Sequence, residues 1–233
     1  MKMFGTTQRQ IAAVAAKNHW HSQFNPLAQY RTAMSIEEVL ADKLISWPMT
    51  RSMCAPMSDG SAALVLASKS ALPRFDARRS LRIRGIALSS GTNRTAAQYD
   101  QHITHLTAQK AYSMAAIGPR DVSVAKLHDA SAIAEILHSE HVGFCDYGAG
   151  GPLAESGETK LGGRLPINVS GGLLSKGHPI GATGAIQICE LVTQLRGEAG
   201  SRQVRNARIG LAENGGGFYG LEEAACVVTV LEK

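Results

Sequence analysis

The sequence predicts an α/β protein, a sheet with helices on both faces. Three observations carry that prediction. From Leu81 onward, strand-like and helix-like patterns follow in the order β-α-β-α-β-α-β-β, the order of a layered α/β domain. Five glycines lie between Gly171 and Gly184, and Ile188, Leu191, Val192 and Leu195 then fall at i, i+3, i+4 and i+7 of a helix. The chain has 233 residues, 44% of them hydrophobic, enough for a sizeable core in one large domain.

The elements follow in order. Thr7 caps a helix over 8–17 that puts Ile11, Val14 and Ala15 on one face. Asn25-Pro26 is a turn signal. Ser35-Ile36-Glu37-Glu38 has the form of a capping box and opens a short helix ending near Lys43. Trp47-Pro48 breaks it, and Asp59-Gly60 marks a turn. Ala62–Ser68 reads as a buried strand, and the polar, basic residues 69–80 as a boundary. Leu81–Leu88 alternates like a strand, and 106–117 reads as a helix. Val122–His128 reads as a strand, and Ser131–Val142 as a helix stopped by Gly143. A glycine-rich loop spans 147–165, then a short strand-like Leu165–Val169. The helix after the glycine loop ends at Gly197, and Arg208–Ala212 and Ala224–Leu231 are strands.

Composition excludes several classes. The formal charge of +5 is only mildly basic. Arg74, Arg78, Arg79, Arg82 and Arg84 gather with almost no aromatic interleaving, so a nucleic-acid stacking platform is not supported. They read as a solvated linker or as a hold for a phosphorylated small molecule. No apolar run is long enough to span a bilayer, and the N-terminus lacks the order of a signal peptide. Cys54, Cys145, Cys189 and Cys226 are scattered without CxxC spacing, which fits reduced thiols and a cytoplasmic setting. No metal site is expected: His19 and His21 supply two ligands only, and His138 and His141, with Cys145 nearby, read as a surface helix.

The chemistry gathers at strand ends. Ligands of α/β sheets bind beyond the C-terminal ends of strands. His128 ends one strand, His178 follows another, and Glu213 and Asn214 end a third. They are predicted to converge on one pocket, with the backbone of Gly171 and Gly172 opening a helix start that suits an anion or carbonyl oxygen. A phosphate loop is excluded, because His178-Pro179 stands where Lys-Ser/Thr is needed. Each group also has a structural reading: His178 in a glycine turn, His128-Asp129 as a helix cap, Glu213-Asn214 as turn chemistry.

Asn168-Val-Ser-Gly-Gly172 followed by Gly177-His178-Pro179-Ile-Gly181-Ala-Thr-Gly184 resembles the glycine–histidine–proline motif of thiolases. Leu195-Arg-Gly-Glu-Ala-Gly200, Lys17-Asn18-His19, Asn25-Pro26 and Ser58-Asp59-Gly60-Ser61-Ala62-Ala63 are similar to the sterol-carrier-protein type. The resemblance implies a layered αβαβα fold built of two similar halves. This chain would hold the complete C-terminal half (76–233) and a remnant of the N-terminal half (1–75). It implies an acyltransferase of the acetyl-CoA C-acyltransferase type in lipid metabolism, with acyl-CoA or CoA as substrate and no separate cofactor. It implies that His178 activates a nucleophilic cysteine and that His128 helps form an oxyanion hole. Gly171, Gly172 and Asn214 would bind substrate. Three departures accompany it. The segment with the acyl-carrying cysteine would precede Met1. Ala130 replaces the cysteine after His128-Asp129. Ala212-Glu213-Asn214-Gly215-Gly216 replaces a Cys-x-Gly motif, which makes Glu213 a candidate acid–base group. The expected partners are a second copy or a thiolase N-terminal half. The alternatives are a non-catalytic subunit and a retro-aldolase on CoA-linked sterol side chains.

Overall fold

In the computed structural model, which describes residues 1–233, α1 (Gln8–Ser22) begins with a complete Thr7/Gln10 capping box. It outruns the sequence pattern by a turn because Lys17, Asn18, His19 and His21 are themselves buried. α2 (Ile36–Ala41) has the Ser35/Glu38 box that its sequence announces. A small antiparallel pair, β1 (Leu44–Ser46) and β2 (Met49–Thr50), follows around Trp47-Pro48. Ala62–Ser68, predicted as a buried strand, is not one. It pairs with nothing and is largely exposed, Val65 at 81% and Leu66 at 78%.

The remainder follows the predicted order except at Leu165–Val169, expected as a strand, which makes only an isolated bridge. β3 (Arg82–Ser90), α3 (Ile103–Ala115), β4 (Val124–Lys126) and α4 (Ala132–His141) come first. α5 (Gly150–Glu155) and α6 (Gly172–Lys176), both inside glycine-rich stretches, had no periodic signal to reveal them. α7 (Thr183–Arg196), β5 (Ile209–Gly216) and β6 (Ala225–Glu232) complete the chain. The sheet order is β3-β6-β5-β4, with β4 parallel to β5 and the other pairs antiparallel. Residues 165–169 join its rim through a parallel bridge between Ala125 and Ile167.

Helices cover both faces. α3 packs on β3 and β6, and α7 lies over β4 and β5 on the other side. Gly85 lets α3 approach: a Cβ there would stand 2.4 Å from the Ala111 carbonyl. One core joins Ala87, Ile103, Ala111, Leu127, Leu211 and Val228 on the α3 side. A second joins Val124, Val169, Leu191, Leu195 and Ala212 under α7. On β3, Gly85 and Ala87 face α3, so Ile86 and Leu88 point to the α7 side, where they stay 50% and 69% exposed.

The N-terminal segment is not a separate layer. α1 shares a core with α4 and α6 through Ile11, Val14, Ala132, Ile136 and Leu174. A buried polar network adds to it. Lys17 Nζ meets Glu135 at 2.6 Å and donates to the Ile167 carbonyl at 2.9 Å, while the Asn18 amide donates to Asp129 and Glu135. In the basic stretch, Arg78, Arg79 and Arg84 pair with Asp76, Glu198 and Glu232.

Candidate active site

The loop after β4 and the glycine loop before α7 meet above the sheet. His128 comes from the first and His178 from the second, their ring centroids 5.1 Å apart and their planes at 86°. Each loop is held by a polar anchor. Asp129, fully buried, accepts from Leu173 N at 2.8 Å and from the Asn18 amide at 2.8 Å. The helix start at Gly171-Gly172 thus has its acceptor already, and that acceptor is the Asp129 carboxyl. Gly172 has φ +58°, and a Cβ there would lie 2.0 Å from Asp129 Oδ2, so only glycine fits. Both glycines are buried and serve the loop's anchor, and no contact places either of them beside the histidine pair. His178 is pinned on the other side: its N–H donates to Ser58 Oγ at 3.1 Å, and it bridges Met57 in parallel fashion.

Hydrogen-bond polarity fixes what each imidazole presents. Thr183 Oγ1 donates its one proton to the Pro179 carbonyl at 3.0 Å. With that proton on the Pro179 carbonyl, the 2.8 Å contact with His178 Nδ1 is one in which the ring donates. His178 Nε2 is left as a bare lone pair, a base. At His128 the polarity is reversed. The Asn214 amide nitrogen, turned toward the ring, donates to Nδ1 at 2.8 Å, so Nε2 carries the proton. A neutral acceptor and a neutral donor therefore stand side by side. Burial, aided by His138, His178 and Lys176, pushes His128 down to about 3. Burial, then the Lys176 ammonium, lowers His178. Lys176 itself is tied to the Gly177 carbonyl at 2.9 Å.

Asn214 and Glu213 leave β5 on opposite faces, as neighbours in a strand must. Asn214 reaches the histidine pair. Glu213, 0% exposed, turns away and accepts from the backbone N–H of His128 at 2.9 Å. It lies behind the pair and has no open face toward a substrate. Burial raises its carboxyl above the ordinary value. His138 and His141 are buried as well, 3% and 4% exposed, so α4 is not the surface helix that its sequence suggested. No group of three or more His, Cys, Asp or Glu side chains is arranged to hold a metal ion. His19 and His21 are structural: His19 contacts the Ser52 carbonyl and Ser175, and His21 contacts the Asn168 carbonyl and the Leu161 amide.

Ser58 and Thr183 escaped the sequence reading as supporting residues. Thr183 is five residues past His178 in the same glycine run, and a hydroxyl at that spacing was the available signal. Below the Gly-His-Pro loop lies an open cavity of about 660 Å³, walled by Ser58, Asp59, Lys176, Pro179, Cys189 and Glu190. No thiol contacts either imidazole: Cys54 donates to the Thr50 carbonyl, Cys189 to the Ala63 carbonyl, and Cys226 to the back of Glu213.

The helix–sheet–helix domain carries its paired imidazoles at the strand ends, and comparison with known proteins shows the class of domain that this is. The family model described as thiolase C-terminal domain-like matches residues 89–231, more than half of the chain, and the chain belongs to that family. It is 38% identical over 225 residues to an acetyl-CoA acetyltransferase of Methanothermobacter thermautotrophicus, covering 94% of this chain and 58% of that protein. It is 38% identical over 222 residues to sterol carrier protein 2 of Homo sapiens, covering 92% of this chain and 40% of that one. A solved structure titled Ltp2-ChsH2(DUF35) aldolase superimposes with a TM-score of 0.83 at 23% identity, covering 98% of this chain and 60% of that one. The chain thus spans about half the length of the curated relatives it matches, and its fold is thiolase-like, carrying a helix–sheet–helix share of the five layers.

Proposed function

We propose that the chain supplies the acid–base half of a thiolase-type site acting on acyl-CoA thioesters, making or breaking the carbon–carbon bond next to the thioester carbonyl. One observation carries this reading: the two imidazoles stand 5.1 Å apart, one with Thr183 Oγ1 at its Nδ1 and the other with the Asn214 amide at its Nδ1, which suits a bare Nε2 on the first and a protonated Nε2 on the second. His178 Nε2 takes a proton, from an attacking thiol or from the carbon beside the carbonyl. His128 Nε2–H donates to the oxygen on which negative charge then gathers. A neutral ring suits both roles, since a donor that stays protonated and a base that stays free need no net charge in the cleft. Asn214 holds His128 in its tautomer and Thr183 holds His178 in its own.

The nucleophilic cysteine of a thiolase would come from a complementary N-terminal half. Two uncovered surfaces support that partner. Ala62–Ser68 is an apolar, strand-prone stretch with no sheet to join, and Ile86 and Leu88 on β3 lack a helix beside α7. The partner would thus add a sheet edge and a helix. A retro-aldol reaction is the second reading, favoured by the fact that no thiol contacts the histidine pair. Such a cleavage needs a base for a hydroxyl proton and a donor for the enolate, and no sulfur.

The test begins with enolate chemistry alone. The purified chain is incubated with acetyl-CoA in D2O, and methyl proton exchange is followed by NMR. Exchange is expected, falling at least ~10²-fold in His178→Asn. Wild-type exchange no faster than that of His178→Asn overturns the acid–base assignment. Adding a thiolase N-terminal half should then give thiolysis of acetoacetyl-CoA. Cleavage of a 3-hydroxyacyl-CoA without that half supports the retro-aldol reading instead.

A further inference from the structure

Behind His128 lies a chain of buried ionisable groups that the proposed chemistry does not use. Glu213 Oε2 accepts from His128 N. Its other oxygen meets the Cys226 thiol at 3.7 Å and lies 3.9 Å from His138 Nδ1. No lysine or arginine reaches this carboxylate, although it is completely buried. A buried carboxylate needs a counter-charge or a proton. His138, on α4, is bracketed by two carboxylates. Its Nε2 lies 3.4 Å from Glu223 Oε1, while Nδ1, on the Glu213 side, has no hydrogen-bond partner. Glu223 Oε2 is likewise unpartnered, 3.9 Å from His102 Nε2. Glu222 differs: Arg94 at 2.7 Å, Thr92 and the Ile103 amide already satisfy it. His141, on the same helix as His138, stacks on His102 at 3.7 Å.

We propose that His138 is the counter-ion of Glu213, and that this pair is a positioning device fixing the backbone of His128 and the reach of its Nε2–H. The groups facing His138 are Glu213 from β5, Glu223 from the turn before β6, His102 from before α3, and His141 on its own helix. Glu213 links that group to the histidine pair by a hydrogen bond, and the charge of His138 also acts on His128 directly. An imidazolium there faces Glu223 Oε1 at 3.4 Å through Nε2 and Glu213 Oε1 at 3.9 Å through the otherwise unpartnered Nδ1. The carboxylate can then stay ionised and hold the His128 amide firmly. Without the imidazolium it takes up a proton, and its grip on the amide weakens. The inference rests on the reading of His128 as the carbonyl donor, but the pair itself is tested without any substrate.

The test is the pH titration of the His128 backbone amide by ¹H–¹⁵N NMR, since that proton sits on Glu213. Glu213→Gln should abolish the titration, which identifies its source. His138→Gln should move the midpoint upward by about one pH unit, because the carboxylate loses its counter-charge. A second readout keeps the test sharp if His138→Gln does not fold: in the unaltered protein the ¹⁵N shifts of the His138 ring should be those of a ring protonated on both nitrogens at neutral pH. An unchanged midpoint in folded His138→Gln, or a neutral His138 ring, overturns the pair. Failure of acetyl-CoA exchange with these shifts intact would sink the carbonyl-donor reading and leave the pair standing.

Discussion

His178 and His128 have the same side chain and opposite duties, and what separates them is one neighbour apiece. Thr183 at Nδ1 suits a bare Nε2 on the first, and the Asn214 amide at Nδ1 suits a protonated Nε2 on the second. A base must be free of its proton, so activity is expected to fall as pH drops through the folded value of His178. That value is below 6.5, held there by burial and then by Lys176. Replacing Lys176 by Met removes a neighbouring positive charge, lets the imidazole hold its proton to higher pH, and should shift the acid limb of the kcat/KM profile upward. An acid limb that stays put, or moves down, would show that Lys176 does not act on His178. Much of this site was legible in the chain itself: His128, His178 and Asn214 come together as their strand-end positions suggested. Glu213 was not legible, because alternation along β5 sends its side chain to the far face once Asn214 is committed to the near one.

At the scale of elements, the glycine loop and α6 are organised around Asp129. The carboxylate occupies the start of that short helix, where an external anion was expected, and Gly172 gives it room. Gly172→Ala should therefore destabilise the fold by roughly 3 kcal/mol, combining a positive-φ penalty with a clash against a buried carboxylate. Urea denaturation monitored by circular dichroism would show it, and a loss under ~1 kcal/mol would mean that the loop relaxes freely. The sequence pattern located α1, α2, α3, α4, α7 and β3 to β6 because each shows periodicity or a cap signal. It misplaced Ala62–Ser68 for a physical reason. An apolar, alternation-free run looks the same whether its partner sheet lies in the same chain or must be brought to it.

For the molecule as a whole, buried histidines set the acid limit of stability. Burial lowers His128 to about 3, His102 to about 4 and His141 to about 2, and puts His21 well below its ordinary value. Below their ordinary 6.5 the unfolded chain binds protons that the folded one refuses, so stability present above that value is lost as pH falls. Asp129, raised to about 7 by burial and Glu135, acts in the opposite sense, as does Glu213, raised by burial. The folded chain holds those protons while the unfolded one releases them. Four histidines outweigh two carboxyls, and the urea midpoint should decline from about pH 6.5 toward pH 4. A midpoint that holds or rises over that range would mean that the histidines open to solvent.

What the sequence alone determined is the family, the alternation of strands and helices, and the two imidazoles, because periodicity, caps and a glycine–histidine motif are local properties of a chain. What only the tertiary structure decided is the direction of each polar side chain. The proton on each imidazole, the internal carboxyl at Gly172, the burial of α4 and the retreat of Glu213 behind His128 all depend on neighbours distant in the chain. Spacing records which residue types are present, whereas hydrogen-bond polarity and desolvation exist only once the loops have been packed against one another.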